Sequence, residues 1–322
     1  MIQPRVFIIV LNYNGCEDTL ECLASCERQN YPELAVLLAD NGSSDGSVVA
    51  VKECFPEVRV IENGENLGFA AGNNRAISLA LSEGADYVML LNNDAIAADQ
   101  ELVTKLVDFE RSNHTGPVSP VVLYTGTDTV WMGGARVDYL LGRIRHLGIG
   151  KSYADFSSLT PYPAQYVSGC CMLLSRALLE ELGLLDEDYF FFYEDVDYCF
   201  RAAAAGKPSY VVPGAFVHHR KSASSGTAGK NGVSQFRAYH MGRSAMIFAG
   251  KRLSGNRRLS FTVAQWTFTL AYVAVMSRSA AAVRDYFKGM RDGFREARAN
   301  ATRSSVSVEP LDDHRDGGNE KH

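Results

Sequence analysis

Several clusters of polar and charged residues in this chain have the types and spacing for proton, metal or phosphate chemistry. Phe190-Phe191-Phe192-Tyr193-Glu194-Asp195-Val196-Asp197-Tyr198 sets an aromatic wall against three carboxylates within four positions. Apolar surroundings raise a carboxylate's pKa and suit it to take a proton as a general base. On a helix, Glu194 and Asp197 share a face, and Arg201 lies one turn beyond Asp197. Asp197–Arg201 therefore reads as a structural ion pair. Asp195 is left as the candidate base, with Glu194 either supporting it or serving as a first-turn helix acid. Leu90-Leu91-Asn92-Asn93-Asp94 ends the most apolar run of the chain. One carboxylate beside two amides suits a hard divalent cation that keeps its other positions for phosphate and water. A helix cap is the alternative for Asp94.

Four further clusters stand at similar places. Asn12-Tyr13-Asn14-Gly15 follows an apolar run and reads as a nucleoside-lining loop or a plain turn. In Asp40-Asn41-Gly42-Ser43-Ser44-Asp45-Gly46-Ser47, capping accounts for Asp45 but not for Asp40, which precedes the turn. The carboxylate of Asp40 can accept from a base N–H or a ribose hydroxyl. Asn66-Leu67-Gly68-Phe69-Ala70-Ala71-Gly72-Asn73-Asn74 carries glycines at a helix start, where backbone N–H groups can approach an anion. It matches neither a Walker loop nor a G-x-G-x-x-G fingerprint. Val217-His218-His219-Arg220-Lys221-Ser222 offers imidazole to a metal and cations to phosphate.

The elements that must position these residues follow from hydropathy. Short β-rich runs at Arg5–Leu11, Leu34–Ala39, Val58–Ile61 and Tyr87–Leu91 alternate with helical stretches at 16–29, 46–54, 70–82 and 101–111. Such a βαβ series predicts an α/β fold with a mostly parallel, Rossmann-like sheet flanked by helices. Ligands on such sheets bind at the carboxyl ends of the strands, where the Asn, Asp and Gly clusters fall. Glycine-punctuated residues 113–165 predict loops and short strands. A strand is expected at Gln165–Ser175, a helix at Glu194–Ala205, and a strand at Ser209–Val217 with a turn at Pro213-Gly214.

Charge is split along the chain. Of its 322 residues, 1–219 carry a net charge of −15, 220–303 carry +13 and 304–322 carry −3. The basic third predicts an anionic partner. No nucleic-acid motif accompanies it, and its aromatic residues follow apolar stripes, so no nucleic acid is expected. Leu259–Ser277 holds nineteen residues without a charge, interrupted by Thr and Gln, and reads as interfacial or protein-buried rather than spanning. The helix after it is amphipathic. Val283, Phe287, Met290, Phe294 and Ala297 form its apolar stripe, with Arg284, Lys288, Arg291, Arg295 and Arg298 one position on. Such a helix suits an anionic bilayer surface. Seven cysteines with no C-x-x-C pair read as reduced thiols in a cytoplasmic protein.

Taken in order, Asn12-Tyr13-Asn14, Asp40-Asn41-Gly42-Ser43, Asn66-Leu67-Gly68-Phe69, Asn92-Asn93-Asp94, Ser168-Gly169, Glu194-Asp195-Val196-Asp197 and His219 resemble the family 2 inverting glycosyltransferases. The resemblance spans residues 5–250 and is strongest toward the bacterial cell-surface branch with rhamnosyl- and galactofuranosyltransferases. Gly289-Met290-Arg291-Asp292-Gly293 also looks like that branch's C-terminal helix. It implies a GT-A catalytic domain over 1–230, with a nucleotide-sugar half to about 120 and an acceptor half beyond. A basic, membrane-associating helical extension over 231–300 and a disordered tail over 301–322 would follow. By resemblance, Asp40 with Asn12, Asn14, Asn66, Gly68, Asn92 and Asn93 would hold a dTDP- or UDP-sugar. Asp94 and His219 would hold Mg2+ or Mn2+, Asp195 would be the base, and Glu194 would assist it or meet the acceptor. The acceptor would be a saccharide or lipid-linked, and the enzyme peripheral on the inner face of the cytoplasmic membrane. Two other readings remain: a sugar-phosphate nucleotidyltransferase and a non-enzymatic anionic-surface or nucleic-acid binding protein.

Overall fold

The computed structural model describes residues 3–220 and 233–306. Its first part follows the expected alternation: β1 (Val6–Asn12), α1 (Cys16–Glu27), β2 (Leu34–Asp40), α2 (Ser47–Cys54), β3 (Arg59–Glu62), α3 (Gly68–Ser82) and β4 (Tyr87–Asn92). Then come β5 (Ala95–Ile96), α4 (Leu102–Asn113), β6 (Val118–Tyr124), β7 (Val130–Met132), β8 (Ala135–Asp138), β9 (Arg143–His146) and α5 (Ala154–Ser157). The sheet-bearing part closes with β10 (Tyr162–Ala164), β11 (Cys171–Ser175), α6 (Arg176–Leu182), α7 (Glu194–Ala204) and β12 (Ser209–His219).

The main sheet has the order β10-β12-β6-β11-β4-β1-β2-β3. Six of these eight strands run the same way; β10 and β11 oppose them. Val6–Val10 and Val88–Leu91 are buried, as the middle strands of a parallel sheet covered on both faces must be. From β1 the chain steps outward to β2 and β3, then returns to place β4 on the other side of β1. The carboxyl ends of β1 and β4 therefore flank a topological switch point, where such sheets leave a crevice.

The middle of the chain departs from expectation. Val118–Leu123 is buried in β6, a core strand between β11 and β12 rather than an irregular stretch. Pro120 hides it in the sequence, since proline has no N–H for a ladder. The partner strand bulges beside it: β12 jumps from Val212 opposite Pro120 to Phe216 opposite Val121. The expected turn at Pro213-Gly214 is this bulge, within one continuous strand. The expected strand from Gln165 begins only at Cys171, because residues 165–170 loop toward α7.

The C-terminal part is helical: α8 (Gln235–Arg252), α9 (Gly255–Ala264), a π-helical turn (Gln265–Thr269), α10 (Leu270–Ser277) and α11 (Ala280–Val306). Helix α11 runs on past residue 300, into the stretch expected to be a disordered tail; the rest of that tail lies outside the described residues. Helices α8 and α11 lie side by side and parallel, because Tyr239 meets Gly289, Gly242 meets Tyr286 and Met290, Arg243 meets Gly293, and Gly250 meets Ala297. A Cβ at Gly289 would collide with the Tyr239 carbonyl oxygen. This close approach turns the packed face of α11 toward Tyr286, Gly289, Met290, Gly293 and Ala297. The expected apolar stripe is thereby corrected: Met290 and Ala297 are buried, whereas Phe294 is 41% exposed.

Helix α8 also grips α7. Asp197 is fully buried and accepts from Arg201 Nε at 2.9 Å, Arg252 Nε at 2.5 Å and the Tyr189 hydroxyl at 3.1 Å. Lys251 and Arg252 reach Asp186 at 2.7 and 3.1 Å. The Asp197–Arg201 pair expected from spacing is present, with a second arginine added from α8. Gly289→Ala should lower stability by about 1–3 kcal/mol through the forced separation of α8 and α11. The urea midpoint measures it, and an unchanged midpoint would contradict the close packing.

Candidate active site

Asn12 ends β1 opposite Asp40 at the end of β2. Its buried side-chain N–H groups donate to Asp40 Oδ1 at 2.9 Å and Ser43 Oγ at 3.1 Å. Its oxygen accepts from Thr19 Oγ1 at 2.9 Å, Asn93 Nδ2 at 3.1 Å and the Gly15 N–H at 3.2 Å. The other oxygen of Asp40 accepts from the N–H groups of Gly42 and Ser43. Asp40 thus shapes its own turn as well as closing the strand end. Asn14, at φ +53°, accepts from the Ser44 N–H at 2.8 Å and ties the two loops together.

A cavity of about 570 Å3 opens beside these strand ends. Leu11, Tyr13, Asn41, Asn66, Gly68, Phe69, Asn92 and Asn93 line one side; Phe190, Phe191 and Ser234–Phe236 line the other. Four of the seven residues expected to hold a nucleotide-sugar are therefore in its wall: Asn66, Gly68, Asn92 and Asn93. Asn12, Asn14 and Asp40 form the hydrogen-bonded layer next to it. Gly68 is required by two constraints at once. Its φ is +78°, and a side chain there would strike the Phe190 carbonyl oxygen. The Phe69 N–H donates to that same oxygen at 2.9 Å, which pins the aromatic segment to the start of α3.

Asp94 and His219 meet across the antiparallel pairing of β5 and β12. Asp94 Oδ1 lies 3.1 Å from His219 Nε2, both side chains being nearly buried. The oxygen has no partner in hydrogen-bond geometry among the described residues, and His219 Nδ1 likewise has none. An orphaned buried carboxylate oxygen beside an imidazole nitrogen fits a cation held by Asp94 Oδ1 and His219 Nε2 together. No group of three His, Cys, Asp or Glu forms a cage among the described residues. Two protein ligands are what a cation shared with a diphosphate needs. Arg220, expected to face phosphate, is instead paired with Asp18 and Glu21 of α1. Lys221 and Ser222 lie outside the described residues.

The two adjacent carboxylates of α7 differ sharply in surroundings. Asp195 Oδ2 accepts from the Tyr166 hydroxyl at 2.8 Å and the Gly169 N–H at 2.9 Å, and Oδ1 from the Val196 N–H at 2.8 Å. Glu194 Oε2 is buried with no hydrogen-bond partner. Burial raises the Glu194 pKa well above the ordinary carboxylate range, and the neighbouring Asp195 charge adds to the rise. Burial also raises that of Asp195, but its three donors act against the rise. Asp195 is thus the group better able to stay ionised, and Glu194 the one more readily protonated. A Cβ at Gly169 would stand 2.9 Å from the Phe69 ring and 3.6 Å from Asp195 Cβ, so Gly169 separates the base candidate from a cavity wall residue.

Tyr166, Thr19 and Ser234–Phe236 were not among the expected site residues. Tyr166 lies 29 positions from Asp195 and inside an expected strand, so spacing carried no signal for it. Phe190 stacks on His240 with ring centroids 4.9 Å apart, and Phe236 packs tilted against the same ring at 4.5 Å. Burial, helped by Arg243, holds the His240 pKa down to about 4, so this ring is neutral within the aromatic wall.

The fold and these motifs have counterparts. The family model Glycosyl transferase family 2 matches residues 7–183. The N-acetylglucosaminyl-diphospho-decaprenol L-rhamnosyltransferase of Mycobacterium tuberculosis is 29% identical over 267 residues, which are 77% of this chain and 85% of the relative. The dTDP-rhamnosyl transferase RfbF of Shigella flexneri is 24% identical over 309 residues, 91% of this chain and 99% of the relative. Among solved structures, a mannosyltransferase from Pyrobaculum calidifontis in complex with GDP-Man and Mn2+ has a TM-score of 0.54 at 17% identity, covering 95% of this chain and 80% of that one. GalNAc-T7 with UDP, GalNAc and Mn2+ has a TM-score of 0.56 at 14% identity, covering 84% and 57%. The sheet with its C-terminal helices is the GT-A fold. With more than half of its length matched, the chain belongs to glycosyl transferase family 2 and is a glycosyltransferase.

Proposed function

We propose that the protein is an inverting transferase that moves a sugar, rhamnose by preference, from a nucleoside diphosphate to a hydroxyl of a saccharide carried on a lipid. The observation that carries this reading is the buried Asp195 carboxylate, oriented by Tyr166 and Gly169 directly behind Phe69 in the wall of the Asn- and Gly-lined cavity. The rhamnosyl preference and the lipid-diphosphate acceptor are supported by the names of the two relatives. Catalysis is assigned to about residues 1–230, and acceptor-membrane contact to the basic helical extension over 231–300. The enzyme then works as a peripheral protein on the inner face of the cytoplasmic membrane, against an anionic surface.

In this reading the cavity binds the donor. Asp40 and the Asn12 network hold the base and ribose end, and Asn66, Gly68, Asn92 and Asn93 contact the remainder. Asp195 removes the proton of an acceptor hydroxyl. That oxygen forms its bond to the anomeric carbon from the face opposite the nucleotide, as the bond from that carbon to the diphosphate oxygen breaks. The configuration inverts and the nucleoside diphosphate leaves. Asp94 and His219 would hold Mg2+ or Mn2+; when bound, a divalent cation stabilises charge on the leaving diphosphate. Glu194, whose charged form burial disfavours more strongly, limits a second negative charge beside the base.

A donor screen with dTDP-, UDP- and GDP-sugars, with and without divalent metal, tests the reading. Released nucleoside diphosphate is expected; nucleoside triphosphate formed only when pyrophosphate is added would indicate a nucleotidyltransferase instead. Asp195→Asn should lower kcat by about 10²–10⁴-fold while donor binding, measured by calorimetry, persists. Full activity would remove Asp195 from the base role. Asp94→Ala should raise the Mn2+ concentration for half-maximal activity, and an unchanged titration would move the metal elsewhere. The base must be ionised to act, so the rate falls as pH drops through its raised pKa. Tyr166→Phe removes a hydrogen bond that opposes the rise, so the acidic limb of kcat/KM should move to higher pH. A limb that stays in place would show that Tyr166 does not orient the base.

A further inference from the structure

The 23-residue helix Gly255–Ser277 is long and apolar enough to cross a bilayer, and 22% of its apolar window is buried. At 1.5 Å per residue it is roughly 34 Å long. A crossing would leave the following helix, α11, on the opposite side of the membrane from α8. The packing forbids that. Helix α11 meets α8 at Gly289 and Gly293, where backbones approach closely. Arg243 of α8 is paired with Glu296 of α11 at 2.5 Å. Both ends of the apolar helix therefore return to the same body.

Its middle is tied down as well. Gln265 is buried at the π-helical turn; its backbone and side-chain oxygens accept from the Tyr286 hydroxyl at 3.0 and 3.1 Å. Gln265 Nε2 donates to the Gly142 carbonyl at 3.3 Å, and Ser260 Oγ to the Leu140 carbonyl at 2.7 Å. Arg143 of the β8–β9 hairpin lies 4.7 Å from the Phe268 ring centroid. A spanning helix would have to break all of these.

Much of the helix surface is nevertheless open: Leu259, Val263, Trp266, Phe268, Tyr272 and Val275 are each about half exposed or more. The hairpin tip extends the patch with exposed Leu140, Leu141 and Ile144. Between this helix and α11 runs a groove of about 870 Å3. Trp266, Phe287, Met290 and Phe294 line it, and Arg284, Lys288, Arg291, Arg295 and Arg298 stand along its α11 edge. Asp285 and Asp292 lie beside two of these cations, yet the Arg284 and Arg291 side chains remain 77% and 60% exposed.

We propose that this face lies within one leaflet of an anionic bilayer. The α9–α10 helix is parallel to the membrane plane, its apolar side is sunk among the upper acyl chains, and the α11 cation row sits at the phosphate headgroups. Charge complementarity selects this occupant: an apolar face edged by a cation row fits lipid that is apolar below and anionic above. The inference rests on the membrane-acceptor reading above and names which surface meets the membrane and in what orientation.

Trp266 is the midpoint of Gly255–Ser277, and Trp131 is the chain's other tryptophan. Trp131→Phe thus leaves one reporter, whose depth separates the two arrangements. The full chain is mixed with phosphatidylcholine vesicles containing 30% phosphatidylglycerol and acyl chains brominated near the headgroup or near the methyl end. An in-plane helix gives a blue shift with strongest quenching by the shallow bromines. A crossing helix puts Trp266 at the bilayer centre, so strongest quenching by the deep bromines would overturn the proposal. Absence of quenching would overturn it too, as would a concentration-dependent blue shift without lipid, which indicates a second copy as the occupant. Arg291→Glu with Arg295→Glu should weaken vesicle binding by at least about tenfold. Sedimentation with vesicles gives the same readout for the chain with both tryptophans, should Trp131→Phe fold poorly. None of these measurements reads sugar transfer, so a failed donor screen and a failed membrane test remain separate results.

Discussion

The Asn12 carboxamide is fully buried at the carboxyl end of β1, and both its N–H groups and its oxygen are committed to neighbours on other elements. It donates toward Asp40 and Ser43 after β2, and accepts from Thr19 of α1 and Asn93 after β4. Strands β2 and β4 lie on opposite sides of β1, so one side chain sets the spacing of the crevice walls. Leaving such a buried amide without partners costs about 1–3 kcal/mol per group. The loops are therefore held in the one arrangement that satisfies it. Gly15 belongs to the same constraint: a side chain there would run into the Asn93 amide. The cavity, the Asp94 loop beside Asn93 and the turn shaped by Asp40 all inherit their positions from this junction.

The paired carboxylates of α7 show how hydrogen bonding can divide chemistry between two groups of similar burial. Glu194 and Asp195 are 6% and 9% exposed, so desolvation opposes charge on both. Glu194 has only its own backbone N–H to offset it, whereas Asp195 has donors from the Tyr166–Gly169 loop and its own helix start. Over 165–170 the chain makes a single bridge, Tyr166 with Ala135, in place of the expected strand. A ladder there would have turned Tyr166 and the Gly169 N–H to other partners. The segment instead orients the carboxylate proposed as the base.

Much of this was legible in the sequence for a simple reason. Asp40, Asn92, Asn93 and Asp94 close buried apolar runs, and in a parallel sheet the carboxyl end of such a run is where a site can lie. The ion pair of Asp197 with Arg201 was legible from helical spacing. Residues joined across long separations were not. Tyr166 reaches Asp195, Arg252 reaches Asp197, and Phe236 faces Phe190, none at a spacing that any single element imposes. Strand β6 was obscured by Pro120, whose missing donor is absorbed by the bulge in its neighbour. The face of α11 was misread because apolar periodicity weights Phe287 and Phe294 above Gly289 and Gly293. In the structure the glycines win the contact, since two backbones approach more closely there than any phenylalanine would allow.

That reversal also explains how the charge of the basic third is spent. Lys251 and Arg252 are drawn inward to Asp186 and Asp197, and Arg243 to Glu296. Arg220 is drawn to α1. Lys251 and Arg252 join the helical extension to the acidic body, and none of the four can serve a distant anion as well. The row on α11 is of a different kind, because the glycine-mediated contact with α8 turns it outward together with the displaced phenylalanines. The same small residues that fasten α11 to the catalytic body thus create the amphipathic surface. Replacing them with larger apolar residues would loosen the helix and rotate the surface in one step, so anchoring and surface presentation are a single constraint on this part of the chain.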